Sequence, residues 1–147
     1  MEHTRVLIVD DELLIRDLLY DFFTSRDLEV MTCNDTHDAL QILEDSPRFD
    51  VVLTDIRMDG EDGLSLVDKI RGVCPDVPVV IMTGYPSVET AVEALRKRVF
   101  DYVIKPFNIN RLYNTIVEAA KENSPDRGIS NKQSDVRTEY ASENFGS

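Results

Sequence analysis

The chain is 147 residues long, enough for one domain with a sizeable buried core. Its formal charge of −12, from 28 acidic against 16 basic side chains, makes nucleic acid a poor direct partner and favours metal ions or basic proteins. No apolar run approaches the roughly 20 residues needed to cross a bilayer, and the separated Cys33 and Cys74 form neither a disulfide framework nor a zinc pattern, so a reduced, cytoplasmic chain without membrane contact is expected.

Arg5-Val6-Leu7-Ile8-Val9 reads as a first strand that runs into Asp10-Asp11. Residues 12–26 follow as a helix with Ile15, Leu18, Leu19 and Phe22 as its buried stripe. Leu28–Cys33 reads as a second, edge strand, since Glu29 and Thr32 tolerate solvent, and Asp35 or Thr36 caps a helix carrying Ala39, Ile42 and Leu43, which ends near Pro47 and Asp50. Val51–Thr54 is a short strand covered on both faces, ending in Asp55 and followed by the Gly/Asp-rich stretch 59–63. A third helix over 64–72 buries Leu64, Val67 and Ile70, with Gly72 as its stop. The strand Val77–Met82 leads to Thr83-Gly84. Residues 87–98 then form a helix with the cleanest apolar stripe of the chain, Val88, Ala91, Val92 and Leu95, opposite Glu89, Glu93, Arg96 and Lys97 with a Glu93-to-Lys97 pair. Tyr102-Val103-Ile104 reads as the last strand, ending in Lys105-Pro106, and a helix from about Ile109 to Glu122 buries Ile109, Leu112, Ile116 and Ala120. From Asn123 the chain is polar with no apolar stripe, which predicts a disordered tail or linker over 124–147 after a domain spanning 1–123. His3 and His37 are too few and too distant to serve as ligands.

Strand and helix alternating five times predict a doubly wound α/β fold with a parallel sheet, in which ligands sit outside the carboxyl ends of the strands. Three acids, a hydroxyl and an amine then collect at one sheet edge: Asp10, Asp11, Asp55, Thr83 and Lys105. With Met58 and Gly63 following Asp55, and Tyr102 three residues before Lys105-Pro106, this set resembles the receiver domain of two-component response regulators, the chemotaxis-protein type. The stretch from Thr83 to Phe107 is most similar to receivers of nitrogen-regulator-type activators. The resemblance covers residues 4 to 122. It implies a flavodoxin-like (βα)5 sheet of order 2-1-3-4-5, with Asp10, Asp11 and Asp55 sharing one crevice.

The resemblance further implies a phosphoryl group accepted on Asp55 from a sensor histidine kinase or phosphotransfer protein. Mg²⁺ or Mn²⁺ is held by Asp11, Asp55 and the Arg57 backbone carbonyl, with Asp10 acting through water. Clustered carboxylates repel, and a hard divalent cation relieves that cost. Lys105 offsets charge on the phosphoryl oxygens, and the Thr83 hydroxyl bonds one of them. Met58, Gly63 and Pro106 shape the turns. Thr83 and Tyr102 form the switch, which alters the surface of the fourth helix, fifth strand and fifth helix toward a downstream effector or a phosphorylation-dependent homodimer. The chain is then a signalling domain rather than an enzyme, with only its own phosphoryl uptake and loss.

Each feature has a plainer reading. Asp10-Asp11 can simply cap the first helix, Lys105 can be a solvated strand-end charge, Thr83 a helix cap and Tyr102 a half-buried strand aromatic. A haloacid-dehalogenase-type phosphatase would want Asp-x-Asp after the first strand, where the chain has Asp10-Asp11-Glu12. A flavin module would want a Ser/Thr/Gly-rich phosphate loop there. A receiver that only binds partners would not need all five site positions filled. Two departures from the resembled pattern stand out: Asp59 in place of a proline after Met58, and Arg98-Val99 in place of Gly-Ala, which would strain a left-handed cap. Arg57 and Tyr85 flank the pocket, where they would control water access.

Overall fold

The computed structural model describes residues 3–46, 48–58 and 61–122, so Pro47, Asp59 and the expected tail over 124–147 lie outside the described residues. Five parallel strands, β1 (Arg5–Val9), β2 (Glu29–Cys33), β3 (Val51–Asp55), β4 (Val79–Thr83) and β5 (Asp101–Ile104), form one sheet in the order β2-β1-β3-β4-β5. The helices are α1 (Leu13–Ser25), α2 (Thr36–Asp45), α3 (Gly63–Val73), α4 (Val88–Arg96) and α5 (Ile109–Glu122). This is the doubly wound architecture expected from the alternation, with β2 at an edge.

Strand side chains alternate between two cores, because successive residues of a strand point to opposite faces. Leu7, Val9, Val52, Val79 and Ile81 pack with Ala39 and Leu43 of α2 and Leu66, Val67 and Ile70 of α3. Val6, Ile8, Val51, Leu53, Val80 and Met82 face the other way, onto Leu19 and Phe23 of α1 and Leu112, Ile116 and Ala119 of α5. Burying each Val, Leu, Ile, Met or Phe side chain among them contributes about 1.5–3 kcal/mol, which holds the sheet between its two helical layers.

Three sequence expectations are corrected. On α1 the buried pair is Leu19 and Phe23, four apart, while Leu18 is 48% exposed. Leu13 and Leu14 are also exposed, and the apolar arc running from Leu18 through Phe22, Ile15 and Leu19 to Phe23 is wider than the face that is buried, so spacing alone could not choose its inward edge. On α4 the stripe faces outward: Val88 is 80% and Leu95 76% exposed, Val92 is exposed too, and the small Ala94 is the residue buried against the domain. The reason is polar anchoring at both ends of the helix. The Tyr102 hydroxyl bonds Thr90 Oγ1 at 2.7 Å near the start. Lys97 meets Asp68 of α3 at 2.6 Å at the end, and Arg71 donates to the carbonyls of Lys97 and Arg98 at 2.9 and 3.0 Å. Finally, Gly72 lies within α3, which continues to Val73, and is not its stop.

Other expectations hold. Asp35 caps α2, its carboxylate accepting from the Asp38 N–H at 2.8 Å, and Ser87 caps α4 by accepting from the Thr90 N–H. Glu93 and Lys97 form the expected i, i+4 pair at 3.9 Å. Arg98 adopts φ 59°, the left-handed conformation anticipated for this position and one that costs a side-chain-bearing residue about 1–2 kcal/mol.

Candidate functional site

Strand register assembles the site. Val9 pairs with Thr54, which brings Asp10 level with Asp55, each the residue at the carboxyl end of a buried strand. Asp55 pairs with Met82, placing Thr83 one step beyond, and Thr83 pairs with Ile104, placing Lys105 one step beyond that. The Lys105 N–H extends the ladder by donating to the Thr83 carbonyl at 2.7 Å, and its stem passes beside Gly84. Lys105 starts two strands from Asp55, roughly 10 Å at 4.8 Å per strand, a gap that its extended stem, the 2.8 Å bond and the Asp55 side chain close together.

The Lys105 ammonium ends among three carboxylates: Asp55 Oδ2 at 2.8 Å, Asp10 Oδ2 at 2.9 Å and Glu12 Oε1 at 3.0 Å. Its three protons thus have three acceptors. Burial pulls the Lys105 pKa down, but the bonds to Asp55, Asp10 and Glu12 together outweigh it and the net shift is upward, so the ammonium is charged at any physiological pH. Asp10 is wholly buried. Desolvation raises its pKa above the ordinary carboxylate value, against the lowering effect of Lys105 and of the Glu12 N–H, which donates to Oδ1 at 2.8 Å. Arg16, one turn into α1, donates to the Asp10 carbonyl at 2.7 Å and fixes the turn that carries the acidic pair.

Asp10, Asp11 and Asp55 each offer a carboxylate oxygen, and these oxygens lie within 4.8 Å of one another; Asp11 is the exposed member. An all-oxygen donor set of this kind fits a hard divalent cation. Counting Glu12, four acids face one ammonium, so a further positive charge is electrostatically favoured there.

Of the remaining sequence candidates, Thr83 is fully buried, its Oγ1 accepting from the Tyr85 N–H at 3.0 Å. Tyr102 is half-buried, and besides Thr90 its hydroxyl accepts from the Ser87 N–H at 3.4 Å. Arg57 and Met58 form a short antiparallel pairing with Asp62 and Glu61, which the sequence reading did not anticipate, and Gly63 opens α3. Pro106 follows Lys105 through a cis peptide bond. Sequence reasoning missed Glu12 and Arg16 as members of the site and Thr90 as the partner of Tyr102. Glu12 had a signal, being the third acid in an unbroken run, whereas Arg16 and Thr90 had none outside the fold.

Comparison with known proteins agrees with this geometry. The family model for the response regulator receiver domain matches residues 6–117. The regulatory protein AtoC of Escherichia coli is 46% identical over 116 residues, covering 79% of this chain and 25% of its own length. Among solved structures, a CheY-like receiver domain protein from Methanospirillum hungatei superposes with a TM-score of 0.79 at 29% identity, covering 83% of this chain and 97% of that one. A beryllofluoride-activated NtrC4 receiver domain dimer gives 0.77 at 33% identity, covering 82% and 99%. The chain spans about a quarter of the length of the curated relatives it matches. It belongs, on its fold, its strand-end acids and these matches together, to the response regulator receiver family of two-component signal transduction.

Proposed function

We propose that Asp55 is the phosphoacceptor, taking a phosphoryl group from a phosphohistidine on a sensor kinase or phosphotransfer protein. One carboxylate oxygen of Asp55 attacks phosphorus in line. The new O–P bond forms as the P–N bond to the donor imidazole breaks, and the imidazole leaves with that electron pair. The observation that carries the reading is the Lys105 ammonium, 2.8 Å from Asp55 Oδ2, in a pocket whose other walls are acidic. Asp11, Asp55 and the Arg57 carbonyl would hold Mg²⁺ or Mn²⁺, with Asp10 acting through water. When bound, that ion supplies charge stabilisation on the transferring phosphoryl oxygens. Lys105 neutralises part of the same charge, and Arg16 keeps the acidic turn in place through the Asp10 carbonyl.

The product carries about −1.5 to −2 charges where Asp55 had one. The Thr83 hydroxyl, which accepts from the Tyr85 N–H, still has its own proton to donate to the phosphoryl group, whereas Tyr102 must give up Thr90 to turn inward. Those bonds make the β4–α4 segment the switch. The output face is α4, β5 and α5, whose exposed Val88, Val92, Leu95 and Ile104 suit an apolar partner. That partner is an effector or a second copy of the chain, as the activated NtrC4 receiver dimer illustrates for its own sequence. In this reading the domain spans residues 1–123 with a polar tail or linker over 124–147, works in the cytoplasm, and catalyses nothing beyond its own phosphoryl uptake and loss. Among the described residues no helix is long and apolar enough to cross a membrane. The test is a Phos-tag mobility shift with acetyl phosphate. It is expected to require Mg²⁺ and to vanish in Asp55→Ala; a shift that survives the substitution would refute the assignment.

A further inference from the structure

We propose that Glu12 is a positioning residue for Lys105, an exchangeable acceptor that holds one ammonium proton until a phosphoryl oxygen displaces it. The proposal rests on the receiver reading and adds to it a residue that controls how readily the site loads. Lys105 has three Nζ protons and three carboxylate partners, so no proton is left over for an incoming oxygen. One partner must withdraw. Asp10 is wholly buried and its other oxygen is already bound to the Glu12 N–H, so turning away would strand a charge out of reach of water. The Asp55 side chain is only 6% exposed and is itself the group that receives phosphorus. The Glu12 side chain is 60% exposed, and water can take over its charge when Lys105 lets go. Glu12 is also the residue before α1, and its side chain makes no capping bond there, so nothing in the helix resists its departure.

The three carboxylates thus differ in what release costs, and the solvent-facing one is the cheapest. An exposed ion pair is weak, so its competition for Lys105 amounts to a factor of about two to five in apparent affinity for the phosphoryl group. Together with the buried bonds to Asp10 and Asp55, the same bond keeps the ammonium extended across the end of β4 when no phosphoryl group is present.

The test uses wild type, Glu12→Gln, Lys105→Met and the double variant. Binding of beryllofluoride with Mg²⁺ is followed by NMR titration, and the initial rate of phosphorylation by acetyl phosphate is read on Phos-tag gels. Glu12→Gln is expected to raise both affinity and rate about two- to fivefold, and to have no effect in the Lys105→Met background. An equal gain in both backgrounds means simple repulsion of the anion and overturns the proposal, as does no gain or a loss in Glu12→Gln. A ligand-free check is solvent exchange of the ¹⁵N-labelled Lys105 ammonium, which should quicken in Glu12→Gln; unchanged exchange contradicts the Glu12 bond. If wild type itself takes neither beryllofluoride nor a phosphoryl group on Asp55, the receiver reading fails first. If wild type loads normally and Glu12→Gln behaves like it, only the role of Glu12 is lost.

Discussion

Substitutions at the two ends of one ion pair should shift stability in opposite directions. Lys105 bonds Asp10 and Asp55, whose side chains are 0% and 6% exposed, while its own is 12% exposed. Lys105→Met leaves two buried carboxylates without their shared cation. Breaking a buried pair in this way costs about 3–5 kcal/mol, and the lower end applies because Asp10 can escape part of the penalty by taking up a proton. For a domain of this size about 3 kcal/mol corresponds to a fall in Tm of roughly 10–15 °C. Asp10→Asn removes one of four acids around a single ammonium that keeps Asp55 and Glu12. It relieves desolvation and repulsion and should stabilise the metal-free protein at pH 7 by about 1 kcal/mol. The folded-state pKa of Asp10 is raised above the unfolded value of 3.8, so its ionisation costs the fold nothing below that value and the full amount once the pH has passed the folded value. The gain in Asp10→Asn should therefore shrink toward zero as the pH falls to 3.8 and below. Urea unfolding followed by far-UV circular dichroism in EDTA, at a series of pH values, measures both. If Lys105→Met is as stable as wild type at pH 7, or if Asp10→Asn is destabilised there, the charge imbalance deduced from the geometry is wrong.

Arg71→Ala removes the two bonds that tie the Lys97 and Arg98 carbonyls to α3, so the amides of 97–99 should exchange with solvent several-fold faster while those of α5 do not; uniform change would mean global destabilisation instead. Arg98→Gly releases the strain of a φ of 59° and should raise the urea midpoint by the equivalent of about 0.5–1 kcal/mol, whereas Arg98→Ala should not. Burial, aided by the nearby Asp38 and Asp35, pushes the Cys33 thiol up to about 12, so native Cys33 should resist iodoacetamide at pH 8 while the less buried Cys74 reacts first. Because the folded value lies above the unfolded one of 9.0, the Cys33 contribution to stability is intact below pH 9 and lost as the pH climbs toward 12. Cys33→Ser should flatten that loss in an alkaline unfolding series.

Strand ends were the legible part of the site, because a buried apolar run must stop where a charge appears, and register then carries Asp10, Asp55, Thr83 and Lys105 to one edge. Helix existence was equally legible, but facing was not. The α4 pattern marked one apolar and one polar side, and hydrophobicity argued for turning the apolar side in. Lys97, Arg71, Asp68, Thr90 and Tyr102 hold it the other way by contacts between elements far apart in sequence, which no periodicity encodes. Ala94 contributes little hydrophobic signal yet sits in the core, in one cluster with side chains of α2, α3 and the strands. Glu12 was visible as an acid beside the pair. Its bond to Lys105, 93 residues away, required the fold.

The most direct measurement is chemical trapping of the acyl phosphate. After incubation with Mg²⁺ and acetyl phosphate, borohydride reduction converts a phosphorylated aspartate to homoserine, and peptide mapping by mass spectrometry locates it. Homoserine at position 55 and at no other acid is the expected result. Homoserine at position 10 or 11, or unmodified Asp55 in protein that has taken up phosphate, would contradict the account.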